Sequence, residues 1–144
     1  MLKGQGPYWL WGLAILLAPG EGNSWAQSPA FYRPLPLPFN TFIEDKLSPE
    51  DMPTGEGGFA RDYGVSLQSG EHIAIDLQSR DFDPVVILIA PDGSTLGAND
   101  DAPLGGPDAL LLARIPTTGI YTIRVRAFGS PGLGLFQLKV SPLR

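Results

Sequence analysis

The chain has 144 residues, contains no cysteine and carries a formal net charge of −5 at pH 7. Without cysteine it forms no disulfide, uses no thiol in catalysis and offers no cysteine-based zinc site. The acidic balance argues against nucleic-acid binding, because such binding needs a basic face whose cations displace counterions. It equally disfavours binding to anionic membrane surfaces.

Residues 1–26 have the composition of a secretory signal peptide. Lys3 supplies a positive charge, residues 8–18 are apolar, and Ser24 and Ala26 are small residues suited to a cleavage site. The apolar segment is shorter than the ~20 residues that span a bilayer. We predict a secreted or periplasmic protein that is cleaved after Ala26 and has no stable membrane insertion afterwards. An uncleaved membrane anchor is the alternative.

Residues 27–41 are rich in proline, with Pro29, Pro34, Pro36 and Pro38 close together. Proline lacks the backbone N–H that helices and sheets require, so this segment is predicted to be an extended, semi-rigid spacer. Docking of the segment on a partner, as other Pro-rich peptides do, is the alternative.

Residues 42–144 are predicted to form one domain of short strands. Apolar and polar residues alternate in segments separated by glycine and proline, and no window has a helical period with caps. The predicted strands lie near residues 42–47, 63–67, 73–77, 85–89, 95–98, 110–113, 121–125 and 136–140. About eight such strands indicate an all-β fold, an antiparallel β-sandwich of jelly-roll-like type.

Polar oxygens are concentrated around one predicted hairpin. The side chains that flank it are Asp81, Asp83, Asn99, Asp100 and Asp101. Calcium is bound by about six to eight carboxylate, amide and main-chain oxygens, so these residues form a candidate calcium site. The alternative is that they accept backbone N–H groups and cap turns. Their spacing matches no EF-hand or repeat-type calcium loop.

Basic residues occupy the polar phase of two late strands. Arg124, Arg126 and Lys139 would form a basic stripe if these strands are neighbours. Such a stripe is a candidate site for an acidic glycan or a carboxylate-bearing partner. A solvated sheet face is the alternative.

The sequence indicates no catalytic set, and we predict that the protein is not an enzyme. His72 is the single histidine and lies on the outward phase of a strand. None of the serines stands in a nucleophile-elbow sequence. Asp81 and Asp83 lie too close together in sequence to bracket a sugar as a glycosidase pair does. A small hydrolase is the least favoured alternative.

Several motifs, in this order, resemble the bacterial pre-peptidase C-terminal domain. They are residues 81–84 (Asp-Phe-Asp-Pro), the apolar strand after them, residues 91–93 (Pro-Asp-Gly), residues 99–101 (Asn-Asp-Asp), residues 115–121 and residues 134–138. The resemblance covers roughly residues 42–140. It implies a β-sandwich, in agreement with the pattern of strands.

The resemblance also implies a role in secretion, folding or substrate binding rather than catalysis. Several members of the family bind calcium, partly through a segment before the first core strand. Here that segment offers Glu44, Asp45, Glu50 and Asp51.

In the family the domain usually follows a secreted peptidase. Here we expect signal peptide, spacer and domain without a peptidase before them, and therefore a free-standing binding or accessory module. The expected partner is an extracellular or periplasmic protein or glycan polymer. The alternative is an inhibitor or chaperone-like partner of a separately encoded secreted peptidase.

Overall fold

The computed structural model describes residues 32–101, 108–129 and 132–143. The predicted signal peptide therefore lies outside the described residues. Pro34–Arg144 form one compact unit. The strands of the described residues are β1 (Leu35–Pro36), β2 (Ile43–Leu47), β3 (Met52–Pro53), β4 (Phe59–Leu67), β5 (His72–Gln78), β6 (Pro84–Ile89), β7 (Thr95–Asn99), β8 (Ala109–Arg114), β9 (Gly119–Ala127) and β10 (Gly134–Pro142).

These strands form two sheets with the core between them. Within the described residues, the first sheet has six strands in the order β1-β4-β9-β6-β7, with β3 also paired to β4. The second sheet has four strands in the order β2-β10-β5-β8. The short β1–β4 pair is parallel, and the other pairs are antiparallel. The prediction of an all-β sandwich is confirmed.

The core is built from every second residue of the strands, because successive side chains point to opposite faces of a sheet. Ile123 and Val125 of β9 are fully buried, as their alternation with polar residues predicts. Phe136 of β10 contacts Tyr63 and Phe82 edge-to-face, with ring centroids 6.3 Å and 6.2 Å apart. Removal of this apolar surface from water is the main source of stability.

Strand β6 is buried on one face more fully than on the other. Val86 and Leu88 point into the core and are fully buried, whereas Ile87 and Ile89 on the outer face are only half-buried. A continuous apolar sequence such as residues 85–89 is typical of a strand covered on both faces. The structure instead places partly exposed isoleucines on the outside of the first sheet.

Part of the segment predicted as a spacer belongs to the fold. Leu35–Pro36 pairs with Tyr63 and Gly64 of β4, and the Leu37 N–H donates to the Gly64 carbonyl oxygen at 3.0 Å. Leu37 is buried in the core. Proline is tolerated here because β1 lies at the edge of its sheet. The compact unit consequently starts at Pro34, earlier than the boundary at residue 42 that composition predicted.

Candidate functional site

A row of polar side chains crosses the second sheet. Gln137 of β10 pairs in register with Glu44 of β2 on one side and Gln78 of β5 on the other. Asp108 directly precedes β8, and the register between β8 and β5 places it beside Gln78. We refer to Glu44, Gln137, Gln78 and Asp108 as the polar row.

The polar row lies on the outer face of the sheet. Its sequence neighbours Leu77, Phe136 and Leu138 are buried in the core. Because alternate residues of a strand face opposite sides, Gln78 and Gln137 point away from the core. Both side chains are at least partly exposed.

The polar row lines a groove with a volume of about 500 Å³. The rest of the described lining comes from Ser79, Arg80 and Asp81, which follow β5, and from Leu135 and Phe136 near the start of β10. The groove therefore forms where β5 ends and the chain leaves the second sheet for the first.

Ser79 and Asp81 shape this groove by holding the main chain of Leu135. The Ser79 hydroxyl donates to the Leu135 carbonyl oxygen at 2.8 Å, and Asp81 Oδ2 accepts the Leu135 N–H at 2.7 Å. Strand β5 ends at Gln78. The side chains of Ser79 and Asp81 therefore make the hydrogen bonds to β10 that the backbone of a longer β5 would have made. The Ser79 hydroxyl oxygen also accepts the N–H groups of Asp81 and Phe82, at 3.1 Å and 3.2 Å, which fixes the turn.

The groove is polar and negatively charged. Its described lining has three carboxylates, on Glu44, Asp81 and Asp108, and one guanidinium, on Arg80. The Gln137 side-chain amide lies 3.5 Å from Glu44 Oε2, to which it donates. Carboxylates accept hydrogen bonds, while glutamine amides both donate and accept. The groove is therefore suited to a polar ligand that is not itself acidic.

The predicted calcium ligands are divided between the two sheets. Asp81 bonds to β10 of the second sheet. Asn99 is the last residue of β7 in the first sheet, and Asp100 and Asp101 follow it. Asp83 directly precedes β6 of the same sheet. The structure thus places Asp83 and Asn99 to Asp101 near one end of the first sheet, and it turns Asp81 towards the groove.

Asn99 acts as a turn cap. Its Oδ1 accepts the N–H groups of Asp100 and Asp101 at 2.9 Å and 3.2 Å. Its Nδ2 donates to the carbonyl oxygens of Asp101 and Leu110, at 2.9 Å and 2.7 Å. These bonds connect the end of β7 to β8, and they use both the oxygen and the nitrogen of the Asn99 side-chain amide.

The described residues do not by themselves test the predicted calcium site. Among them, no group of three or more histidine, cysteine, aspartate or glutamate side chains is placed to hold a metal ion. Residues 102–107, directly after Asp101, lie outside the described residues. Calcium binding at this loop therefore stays a prediction of the sequence.

Two carboxylates of the segment that the resemblance associates with calcium bind an arginine. Arg61 Nε donates to Asp45 Oδ2 at 2.9 Å, and Arg61 Nη1 donates to the Asp51 carboxylate. The Tyr63 hydroxyl donates to the same oxygen of Asp45 at 2.6 Å. The Arg61 guanidinium thus supplies the positive charge between Asp45 and Asp51, and it links β2 of the second sheet to β4 of the first.

The Asp45 carboxyl is held in its charged form. Burial acts to raise its pKa, but hydrogen bonds from Tyr63, the Lys46 N–H and Arg61 together outweigh burial and lower the pKa from its ordinary 3.8. Burial and the bond to Asp45 raise the pKa of Tyr63, so its hydroxyl keeps its proton and remains a donor. The arrangement is that of a stabilising ion pair rather than a poised acid or base.

The predicted basic stripe is not assembled. Arg124 and Arg126 lie on β9 of the first sheet, whereas Lys139 lies on β10 of the second, and the two strands are not neighbours. Arg124 forms two bonds of 2.8 Å with the carboxylate of the buried Asp62. Lys139 Nζ lies 5.1 Å from the centre of the Phe42 ring. If these cations bind ligands, Arg124 and Arg126 do so on the first sheet and Lys139 does so on the second, as two separate sites.

The polar row was not identified from the sequence. Each glutamine stands on the polar phase of an alternating strand, which is a local signal for exposure. Nothing local indicates that Gln78 and Gln137 are side by side, because that depends on the pairing of β5 with β10. His72, which the sequence places on the outward phase of a strand, is exposed at the opposite end of β5.

No protein-family model matches this chain, and no curated protein matches it. Some solved structures are similar to it. The pre-peptidase C-terminal domain of a collagenase from Bacillus anthracis is similar, with a TM-score of 0.58 and 14% identity over 75% of this chain and 94% of that domain. The fold is shared with a pre-peptidase C-terminal domain. At this identity the likeness establishes the fold alone.

A second solved structure is equally similar. It is PliG of Aeromonas hydrophila, a periplasmic inhibitor of g-type lysozyme, with a TM-score of 0.57 and 15% identity over 76% of this chain and 95% of that one. The sandwich thus occurs both in a domain of a collagenase and in an inhibitor. The described residues contain no helix with the length and hydropathy needed to span a membrane.

Proposed function

We propose that this protein is an exported, non-catalytic binding module that holds a protein or glycan polymer in the groove on the second sheet. The observation that carries the proposal is the groove itself, lined by residues of β2, β5 and β10 together with Asp108. Polar groups that converge on one concavity of a rigid sheet are typical of a binding site.

Binding is favoured over catalysis by the positions of the ionisable groups. His72 and Gln78 stand at opposite ends of β5, about 20 Å apart at the rise of a β-strand, so the imidazole cannot serve the groove. Glu44 and Asp108 are separated by three strand spacings, about 14 Å. That exceeds the roughly 6.5–9.5 Å between the carboxyl groups of an inverting glycosidase. Asp81 uses one carboxylate oxygen on the main chain of Leu135.

Export rests on the predicted signal peptide, residues 1–26. Its test is the N-terminus of the mature protein recovered from the periplasm or the medium. A chain that begins at Gln27 supports export, and a full-length chain retained in the cytoplasm contradicts it.

The groove is tested by binding of the purified full chain to immobilised polymers, both proteins and polysaccharides. Replacing Gln78 and Gln137 together by alanine should abolish retention on whichever polymer the native protein binds. The matched control is Gln68→Ala, because Gln68 is an exposed glutamine in the turn after β4, outside the groove. Unchanged retention of the double variant would assign the polymer to another surface.

An inhibitor of a separate secreted hydrolase is the second candidate function. It is favoured by the shared fold with the lysozyme inhibitor of Aeromonas hydrophila. The test is inhibition of a g-type lysozyme, and of secreted peptidases, by equimolar amounts of the protein. Stoichiometric loss of activity of one enzyme would establish inhibition, and full activity of all of them would exclude these targets.

Calcium binding near Asn99 to Asp101 is proposed only as a stabilising feature of the module. It plays no part in the groove, since the contacts of Asp81 direct that residue to β10.

A further inference from the structure

The spacing of the polar row matches a repeating ligand. Its four members belong to or directly adjoin four neighbouring strands, β2, β10, β5 and β8. Neighbouring strands lie about 4.8 Å apart, so the row presents one amide or carboxylate at each such interval. A linear ligand lying across the strands would meet an equivalent polar group at every step.

This interval fits a sugar polymer better than a peptide. An extended peptide advances about 3.3 Å per residue and places side chains on one face every second residue, which does not match the strand spacing. Peptides that bind sheets usually add at an edge through their main chain, whereas the row lies on a face. In an extended β-1,4-linked chain, one pyranose ring with its linking oxygen advances by about the distance between two neighbouring strands. Its hydroxyls both donate and accept, as the mixture of amides and carboxylates requires.

The charge of the groove selects among sugar polymers. The carboxylates of Glu44, Asp81 and Asp108 outnumber the one guanidinium of the described lining, on Arg80. A polymer of uronic acids or sulfated sugars would be repelled. A neutral polymer would not be.

An apolar surface adjoins the row. Leu135 lines the groove, lies two residues before Gln137 on the same face of β10, and is 54% exposed. Its position is fixed by the bonds that Ser79 and Asp81 make to its main chain. The C–H face of a pyranose ring can cover such a side chain while the ring hydroxyls bond to the row.

Together these features define the ligand, on the basis of the function proposed above. We propose that the groove binds a neutral, β-1,4-linked glycan that lies across the strands, with one sugar unit at each member of the polar row.

The test uses the purified full chain and soluble chito-oligosaccharides and cello-oligosaccharides of one to six units, with calorimetry as the measurement. Affinity for one of the two series should rise with length up to about four units and then level off, because the row has four members. Gln78→Ala and Gln137→Ala should each weaken binding about tenfold, the usual effect of one lost hydrogen bond of about 1.4 kcal/mol. Gln68→Ala should bind as the native chain does.

The outcomes separate this inference from the proposed function. Retention on gelatin or on polygalacturonate, but on neither neutral series, would overturn the assignment of a neutral glycan; loss of that retention in the double glutamine variant would still support a binding groove. Binding of a neutral glycan that is unaffected by both glutamine variants would overturn the groove itself. Failure to bind either series at millimolar concentration, with native circular dichroism, would also overturn the glycan assignment.

Discussion

The Asp81 carboxylate accepts the Leu135 N–H at 2.7 Å and so continues a β-ladder beyond the end of β5. This contact explains why an aspartate stands at a position that the sequence associates with calcium. Asp81→Ala would leave the N–H of Leu135 without its acceptor. We expect the free energy of unfolding to fall by about 1–2 kcal/mol, measured by urea denaturation.

Asp81→Asn is the matched control for this variant. The asparagine amide oxygen can still accept the N–H, so most of the stability should return. Equal stability of Asp81→Ala and the native chain would show that the bond contributes nothing.

The residue before Leu135 is constrained by the same aspartate. Gly134 has φ of +134°, and a β-carbon there would lie 2.3 Å from Asp81 Cβ. Gly134→Ala should therefore combine backbone strain with a steric overlap and lower the free energy of unfolding by roughly 3 kcal/mol or more.

Gly70 provides the comparison, because its φ is +91° and a β-carbon there would meet open space. Gly70→Ala should cost only the strain, about 1–2 kcal/mol. If the two variants were equally stable by urea denaturation, the close approach of Gly134 to Asp81 would be disproved.

The sequence predicted the positions of the strands better than it predicted which strands pair with one another. Alternation is a local property, and in β9 it correctly identified the buried phase of Ile123 and Val125. Partners are set by packing of the whole chain, so the sequence could not tell that Lys139 and Arg124 belong to different sheets.

The contacts of the acidic residues likewise depend on packing of the whole chain. Asp45 lies in the segment that the resemblance associates with calcium, but its cationic partner is Arg61, a residue of another strand. The proline content also gave the wrong expectation at β1. An edge strand needs few backbone N–H donors, and the Leu37 N–H supplies one. The groove depends on pairing between distant segments, and a single sequence contains no direct signal for it.

The Asp45 network should make stability depend on acidity. The pKa of Asp45 is lowered on folding, so its contribution is complete above the ordinary value of 3.8 and is lost as the pH falls through the lower folded value. Stability measured by urea denaturation should therefore drop between about pH 5 and pH 2, and Asp45→Asn should make that drop shallower.

Glu56→Gln is the control, because Glu56 is an exposed carboxylate on the loop between β3 and β4. It should leave the pH profile almost unchanged. Tyr63→Phe removes one donor to Asp45 and should give an intermediate profile. A profile for Asp45→Asn that parallels the native one would show that the network does not favour the charged carboxylate.

Calcium provides the last prediction, because the described residues leave the site that the sequence indicates untested. Asp100 and Asp101 remain the candidate ligands at this loop, because Asn99 uses both atoms of its amide on the backbone. We expect the melting midpoint of the full chain to be higher in millimolar calcium than in excess EDTA, as the proposed stabilising role of calcium requires. Bound calcium at about 100 times its dissociation constant would add roughly 2.7 kcal/mol and raise the midpoint by several degrees. A calcium-specific rise that Asp100→Ala removes, while Asp81→Ala keeps it, would place a site at the Asn99 loop, and equal midpoints in EDTA and in calcium would contradict it.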